Sequence, residues 1–279
     1  MKIDSHHHFW NYSPEDYGWI GEGMDVLKRD FGPDDLRPVL DEAGIDGVVS
    51  VQAQTVLAEN DDLTGHAAAH DWIRGVVGWI DLTADDAAGQ VARFAQQPKA
   101  VGVREVLQGL DDDAYCLRED FNRGVAALHE FGLVYDMLVF PRHLGPVLAF
   151  VDRHPAQRFV LDHLAKPAIG DTAPDPAWVK GIRALAEREN VACKVSGMVT
   201  EVKTGLEPSR DRLRPFYDVV LDAFGADRLL FGSDWPVCLL RSGYLGWKET
   251  VWEWTEELSA GERAAIRGEN AVRVYGLED

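Results

Sequence analysis

The stretch Ile3-Asp4-Ser5-His6-His7-His8-Phe9-Trp10 stands at the start of the chain. In extended backbone, side chains at i and i+2 share a face. His6 and His8 therefore point together into one cavity, and His7 points the other way. Far downstream an apolar run ends in Phe231-Gly232-Ser233-Asp234-Trp235-Pro236. A His-x-His at one strand end and an aspartate at another can serve metal-assisted or general-base attack by water, provided the fold brings the two ends together.

The chain between them reads as such a fold. Short β-rich runs at 2–6, 46–52, 75–81, 100–104, 133–139, 158–163, 191–196 and 228–234 alternate with amphipathic helical patterns. The helical patterns fall at 33–43, 84–97, 119–131, 142–154, 175–189 and 208–224, with two more near 246–258 and 260–274. Eight strand-helix alternations predict an α/β protein whose parallel sheet closes as a (β/α)8 TIM barrel, one domain over residues 1–279. A doubly wound open sheet is the alternative, but no G-x-G-x-x-G or G-x-x-x-x-G-K-[ST] follows any strand.

Composition narrows the function classes. Asp and Glu outnumber Lys and Arg 47 to 28, a net charge of -19, which argues against nucleic acid or an anionic membrane as partner. The three cysteines, Cys116, Cys193 and Cys238, are far apart and form no C-x-x-C, so neither a disulfide framework nor a zinc finger is implied. No basic segment followed by an apolar stretch marks the N-terminus, and no run approaches the ~20 apolar residues of a membrane span. A cytoplasmic location is expected. No Gly-x-Ser-x-Gly elbow surrounds Ser196 or Ser233, so water activated by a base or a metal is preferred to a covalent serine.

In a (β/α)8 barrel the chemistry sits at the C-terminal ends of the strands. Reading those ends gives His6 and His8, Gln52 and Gln54, Asp81, Arg104 and Glu105, Asp136, Asp162 and His163, Lys194 and Ser196, and Asp234. Charged groups inside a barrel are costly unless paired, hydrated or functional, so their concentration there is informative.

These motifs together resemble the amidohydrolase superfamily: the opening His6-His7-His8 strand, Val51-Gln52-Ala53, Gly102-Val103-Arg104, Asp162-His163-Leu164-Ala165-Lys166-Pro167, Lys194-Val195-Ser196-Gly197 and Gly232-Ser233-Asp234-Trp235-Pro236. The likeness is narrower still to its type 2 branch of sugar lactonases, the L-fuconolactonase and L-rhamnonolactonase group, and it runs from the first strand to the last. It implies hydrolysis of a cyclic ester or amide on a (β/α)8 barrel. Carried over, the family's strand-end residues fall on His6, His8, His163 and Asp234. No lysine ends strand 4 and no histidine ends strand 5, so a two-metal site is not expected. What remains could hold one Zn²⁺ through His6, His8 and Asp234, with His163 in reach, or could work without metal.

The expected chemistry is opening of a sugar lactone, a small-molecule partner, to its aldonic acid. Asp234 would activate water, and His6, His8 and His163 would polarise the carbonyl. Arg104, Trp10, Gln52, Lys166 and Trp235 are candidate substrate contacts. Against these stand blander readings: an ion pair for Arg104 with Glu105 or another strand-end acid, and internal pairing for Lys166, Lys194 and Asp136. Surface or capping roles are expected for His66, His70, His129, His143 and His154. The rival functions are a metal-dependent decarboxylase of the same superfamily, a hydrolase of aromatic dicarboxylate lactones, and a non-catalytic sugar-binding barrel. Oligomeric state is not legible in the sequence.

Overall fold

Eight short strands follow one another in space in the order of the chain, every neighbouring pair parallel. The computed structural model describes residues 1–278. The strands are β1 (Ile3–His7), β2 (Gly47–Val51), β3 (Ile73–Gly78), β4 (Ala100–Glu105), β5 (Val134–Met137), β6 (Phe159–Leu161), β7 (Val191–Val195) and β8 (Leu229–Phe231). Backbone bonds from Asp234 N to His6 O and from His8 N to Trp235 O, both 2.7 Å, join the last strand end to the first. The barrel thus closes through residues of the candidate site itself.

The helices are α1 (Pro33–Ala43), α2 (Leu57–Ala69), α3 (Ala87–Phe94), α4 (Glu119–Glu130), α5 (Leu144–Arg153), α6 (Pro176–Ala186), α7 (Arg210–Phe224), α8 (Tyr244–Thr255), α9 (Ala260–Ala264) and α10 (Asn270–Tyr275). The sequence pattern misses α2. Its segment Leu57-Ala58-Glu59-Asn60-Asp61-Asp62-Leu63-Thr64 carries acids and amides where an apolar stripe would show, and the buried face includes Glu59, Asn60 and Thr64. The single pattern expected over 260–274 divides into α9 and α10 around a wide turn at Ala265–Glu269, where Gly268 lies against the backbone of Met1 to Ile3. No helix among the described residues is long and apolar enough to cross a membrane, and the three cysteines are free and buried.

Strand alternation builds the barrel interior in layers. Val134, Val160, Ala192 and Leu230 point inward and pack with Ala271, Val274, Tyr275 and Leu277 of the chain's closing segment, which plugs the far end. Two residues further along three of these strands the inward positions are Asp136, Asp162 and Lys194, all fully buried. An apolar floor therefore carries a charged layer, and the candidate site rests on that layer.

Candidate active site

Each candidate side chain is delivered by a particular piece of backbone. His6 and His8 leave the same face of β1, their Nε2 atoms 3.3 Å apart. His7 turns outward to Ser50 Oγ at 2.8 Å and stacks edge-on against Phe9. β6 and β8 stop at Leu161 and Phe231, short of the residues expected to end them. His163 instead heads a left-handed turn of four non-glycine residues, His163, Leu164, Ala165 and Lys166, with φ of 52, 54, 58 and 49°. Each such residue costs roughly 1–2 kcal/mol. The turn is held by Lys166 N donating to His163 O, by Trp178 Nε1 donating to Leu164 O, and by burial of Leu164 and Ala165. Asp234 is also left-handed, with φ 57°, fixed by its N–H to His6 O and by Cys238 N–H to its carbonyl.

These elements bring four side chains to one point. Oδ1 of Asp234 lies 3.8 Å from His6 Nε2, 3.5 Å from His8 Nε2 and 3.9 Å from His163 Nε2. All four residues are almost fully buried. Burial alone would raise the carboxyl pKa of Asp234, but His163, His8 and Lys166 hold it below the usual 3.8. Burial lowers His163 to about 4, against the pull of Asp234 and Asp162, and holds His6 well below its usual value. Near neutrality the site therefore holds an ionised carboxylate beside the neutral imidazoles of His6 and His163.

The donor set suits a divalent cation. Ligands 2.0–2.1 Å from a tetrahedral zinc stand about 3.3 Å apart, close to the His6–His8 spacing. His6, His163 and Asp234 offer atoms all within 4.8 Å of one another, a group that holds His163, expected only within reach, in place of the expected His8. His8 Nδ1 donates to Val51 O at 2.8 Å, leaving the Nε2 lone pair facing the mouth, and His163 Nδ1 is fixed by Ser196 Oγ at 2.8 Å. His6 Nδ1 stands between Asp162 Oδ1 at 3.4 Å and Lys194 Nζ at 3.1 Å. β4 ends in Arg104 and Glu105 and β5 in Asp136 and Met137, so neither supplies a bridging lysine or a further histidine.

The expected substrate contacts divide. Arg104 is buried, with Nη1 3.0 Å from Asp162 Oδ2 and 3.3 Å from His6 Nε2. Its ion pair is thus with Asp162, while Glu105 instead receives Trp79 Nε1 at 2.9 Å. Gln52 is fully buried and its side-chain oxygen accepts from Arg104 Nη2, so it orients the guanidinium and does not face the opening. Trp10 and Trp235, expected as pocket walls, are only 4% and 3% exposed. Trp10 directs Nε1 to Arg29 O and packs on Tyr17, Trp19 and Phe31, and Trp235 packs on Phe9 and Phe31. Both back the loop after β1, and Trp10 also lines a cavity with Tyr17, Gln54 and Glu59. Lys166 pairs with Glu201 at 3.2 Å, and these side chains remain 19% and 17% exposed. Asp81 takes the N–H and hydroxyl of Thr83, a turn outside the cluster. Among the other histidines, His143 is buried and its Nδ1 accepts from Phe140 N–H, a capping role.

The sequence reading lists Asp162 and Ser196 at strand ends without giving them a role, and leaves Glu201 and Tyr275 out. Asp162 carried a signal, since it ends the same strand run as His163. Glu201 and Tyr275 carried none, because only the fold brings them near. Gly197 is a further case: at φ 66°, a Cβ on it would lie 2.5 Å from His163 Nδ1. Gly197→Ala should strain the backbone and push the imidazole off Ser196, lowering turnover about 10- to 100-fold. Steady-state kinetics on the folded variant check this, and an unchanged rate would show that the placement of His163 is not critical.

Glu59 of α2 ties down the loop after β2, accepting Ala53 N–H at 2.8 Å and Gln54 N–H at 2.9 Å. Burial raises its pKa from 4.5 to about 7. The folded state therefore keeps a proton that the unfolded chain releases near 4.5, so ionising Glu59 costs stability as pH rises from there to about 7. Glu59→Gln should gain on the wild type by up to about 3 kcal/mol between about pH 5 and pH 8. Paired melting curves at the two pH values measure the difference, and a pH-independent gap would contradict the assignment.

Fold and site together define a hydrolase-type (β/α)8 barrel with histidines and an aspartate gathered at the strand ends. The chain belongs to the Amidohydrolase family (Amidohydro_2), whose sequence profile matches residues 3–277. It is 43% identical over 288 residues to the L-fucono-1,5-lactonase of Burkholderia multivorans, covering 100% of this chain and 97% of the relative. It is 38% identical over 283 residues to the L-fucono-1,5-lactonase of Burkholderia ambifaria, covering 100% and 96%. Among solved structures, an amidohydrolase from Burkholderia multivorans with bound zinc superposes with a TM-score of 0.96 at 43% identity, covering all of both chains.

Proposed function

We propose that this amidohydrolase opens a sugar lactone of the L-fucono-1,5-lactone type to its aldonic acid. The observation that carries the reading is the placement of the Asp234 carboxylate within 3.5–3.9 Å of three imidazole Nε2 atoms. The full-length likeness to two L-fucono-1,5-lactonases supports the substrate class.

Lactone opening requires water to lose a proton, the carbonyl oxygen to be stabilised as charge develops, and the ring oxygen to gain a proton. Asp234, ionised at neutral pH, takes the proton from water and returns it to the departing ring oxygen. Arg104, whose Nη1 lies 3.3 Å from His6 Nε2, donates to the carbonyl oxygen in this reading. His163, held by Ser196 Oγ, polarises the carbonyl. Lys166 and Glu201, a donor and an acceptor at the rim, hold the sugar hydroxyls. His6, His8 and Asp234, with His163, would hold one zinc ion, which when bound lowers the pKa of water and polarises a carbonyl. The zinc reported for the Burkholderia multivorans amidohydrolase supports that assignment.

Proton release should be followed against L-fucono-, L-rhamnono-, L-galactono- and D-arabinonolactones, with aromatic dicarboxylate lactones alongside. Rapid opening of the L-fucono compound and its stereochemical neighbours is expected, and silence across the panel with zinc supplied would overturn the reading. A chelator should abolish turnover and zinc restore it; full activity after verified removal of metal would assign the chemistry to the side chains alone.

A further inference from the structure

The charged layer beneath the site is anchored from the opposite end of the barrel. Tyr275, the last residue of α10, is buried among the apolar floor residues, and its hydroxyl lies 2.8 and 2.9 Å from the two oxygens of Asp136. Asp136 Oδ2 receives Lys194 Nζ at 2.5 Å. The same ammonium lies 3.0 Å from Asp162 Oδ1 and 3.1 Å from His6 Nδ1. The ammonium thus donates to Asp136 Oδ2, makes an ionic contact with Asp162 Oδ1, and lies against the ring nitrogen of His6 opposite the one that faces the mouth.

We propose that Tyr275 is a positioning residue of the hydrolytic site: with Asp136 it sets where Lys194 stands, and Lys194 sets the orientation of the His6 ring. The proposal rests on the reading of His6 as a site residue. A lysine stem is flexible, with four rotatable carbons, and an ammonium has no directional fork of its own. Inside the barrel its position is defined only by its acceptors. Asp136 is in turn a two-oxygen acceptor on a strand interior, and the Tyr275 hydroxyl spans both of its oxygens, fixing the rotation of the carboxylate. Loss of that hydroxyl frees the carboxylate to turn, and Lys194 moves with it. Groups that orient a ligand or catalytic imidazole from behind typically account for about 10- to 100-fold in affinity or activity.

Tyr275→Phe removes one oxygen atom and keeps the ring in the floor. Tyr217→Phe is the matched control, because Tyr217 is equally buried and its hydroxyl has no hydrogen-bond partner among the described residues. Tyr275→Phe should lower kcat about 10- to 100-fold with KM within about twofold, and should shift the ring ¹⁵N resonances of His6. Tyr217→Phe should leave both unchanged. Asp136→Glu, which moves the carboxylate by one methylene, breaks the same link from the other side and should shift the same resonances. Wild-type kcat and unshifted His6 signals in Tyr275→Phe would overturn the inference, as would equal losses in the Tyr217 control. If the wild-type protein opens no lactone, the hydrolase reading fails, whereas the His6 resonances still decide the positioning role.

Discussion

Replacing Asp234 by asparagine should lower kcat for lactone opening by about 10³-fold or more and leave the barrel folded. Asparagine keeps the shape of the side chain and can still hydrogen-bond one imidazole, but it cannot accept and hold a proton. The backbone at 234 is left-handed, with φ 57°, a conformation asparagine adopts more readily than most residues. The two main-chain bonds that fix the turn, Asp234 N–H to His6 O and Cys238 N–H to Asp234 O, do not involve the carboxylate. KM should change little, because a base acts in the transition state and the substitution leaves the rim residues Lys166 and Glu201 in place. Kinetics on L-fucono-1,5-lactone, with circular dichroism and metal content measured on the same sample, separate the possibilities. A rate within about tenfold of wild type would exclude Asp234 as the base, and loss of bound zinc in parallel with the rate would assign part of its role to metal retention.

The architecture was legible because strand-helix alternation is a long-range pattern that single residues do not disturb. Every one of the eight strands lies within or beside its expected run, and α1 occupies the expected 33–43. α2 was lost because helices flanking a barrel need only a narrow buried stripe, and here that stripe carries Glu59, Asn60 and Thr64. Period two places His6 and His8 on one face, and the geometry follows it. It does not extend to His163 and Asp234, which leave their strands before the mouth and arrive through left-handed turns. Gln52 and Arg104 were legible as strand-end polar residues, but not as each other's partners, because nothing in a sequence says which neighbouring strand end a side chain will reach. The charged layer was closer to legible than it looked. Val134 precedes Asp136, Val160 precedes Asp162 and Ala192 precedes Lys194, each by one step on the inward face. An apolar inward residue followed two positions later by a charged one, repeated on three consecutive strands, marks an ionic layer inside a barrel. Tyr275 has no such signature, since its partner lies 139 positions away and only barrel closure joins them.

Lys194→Met should destabilise the protein by about 3–5 kcal/mol, the usual cost of removing one partner from a buried ion pair. Lys194, Asp136 and Asp162 are fully buried, and Arg104 nearly so, which makes two cations and two carboxylates in one layer. Methionine fills much of the lysine stem's volume, so the dominant cost is an uncompensated carboxylate and not a cavity. Arg104 still pairs with Asp162 at 3.0 Å, which leaves Asp136 with the Tyr275 hydroxyl alone. Burial already raises Asp136 to about 6 with Lys194 beside it, so loss of the ammonium drives that pKa further up. A carboxyl raised in the folded state binds a proton that the unfolded chain releases near 3.8, so the variant loses stability as pH climbs. The gap to wild type should therefore widen between about pH 5 and pH 8. Adding Asp136→Asn removes the orphaned charge and restores the balance of the layer. The double variant should be more stable than Lys194→Met alone, with a coupling of about 1–3 kcal/mol. Urea denaturation of the wild type, both single variants and the double variant closes the cycle. Additive losses would show that the two side chains do not act as a pair, and a pH-independent gap would show that Asp136 is not the group left uncompensated.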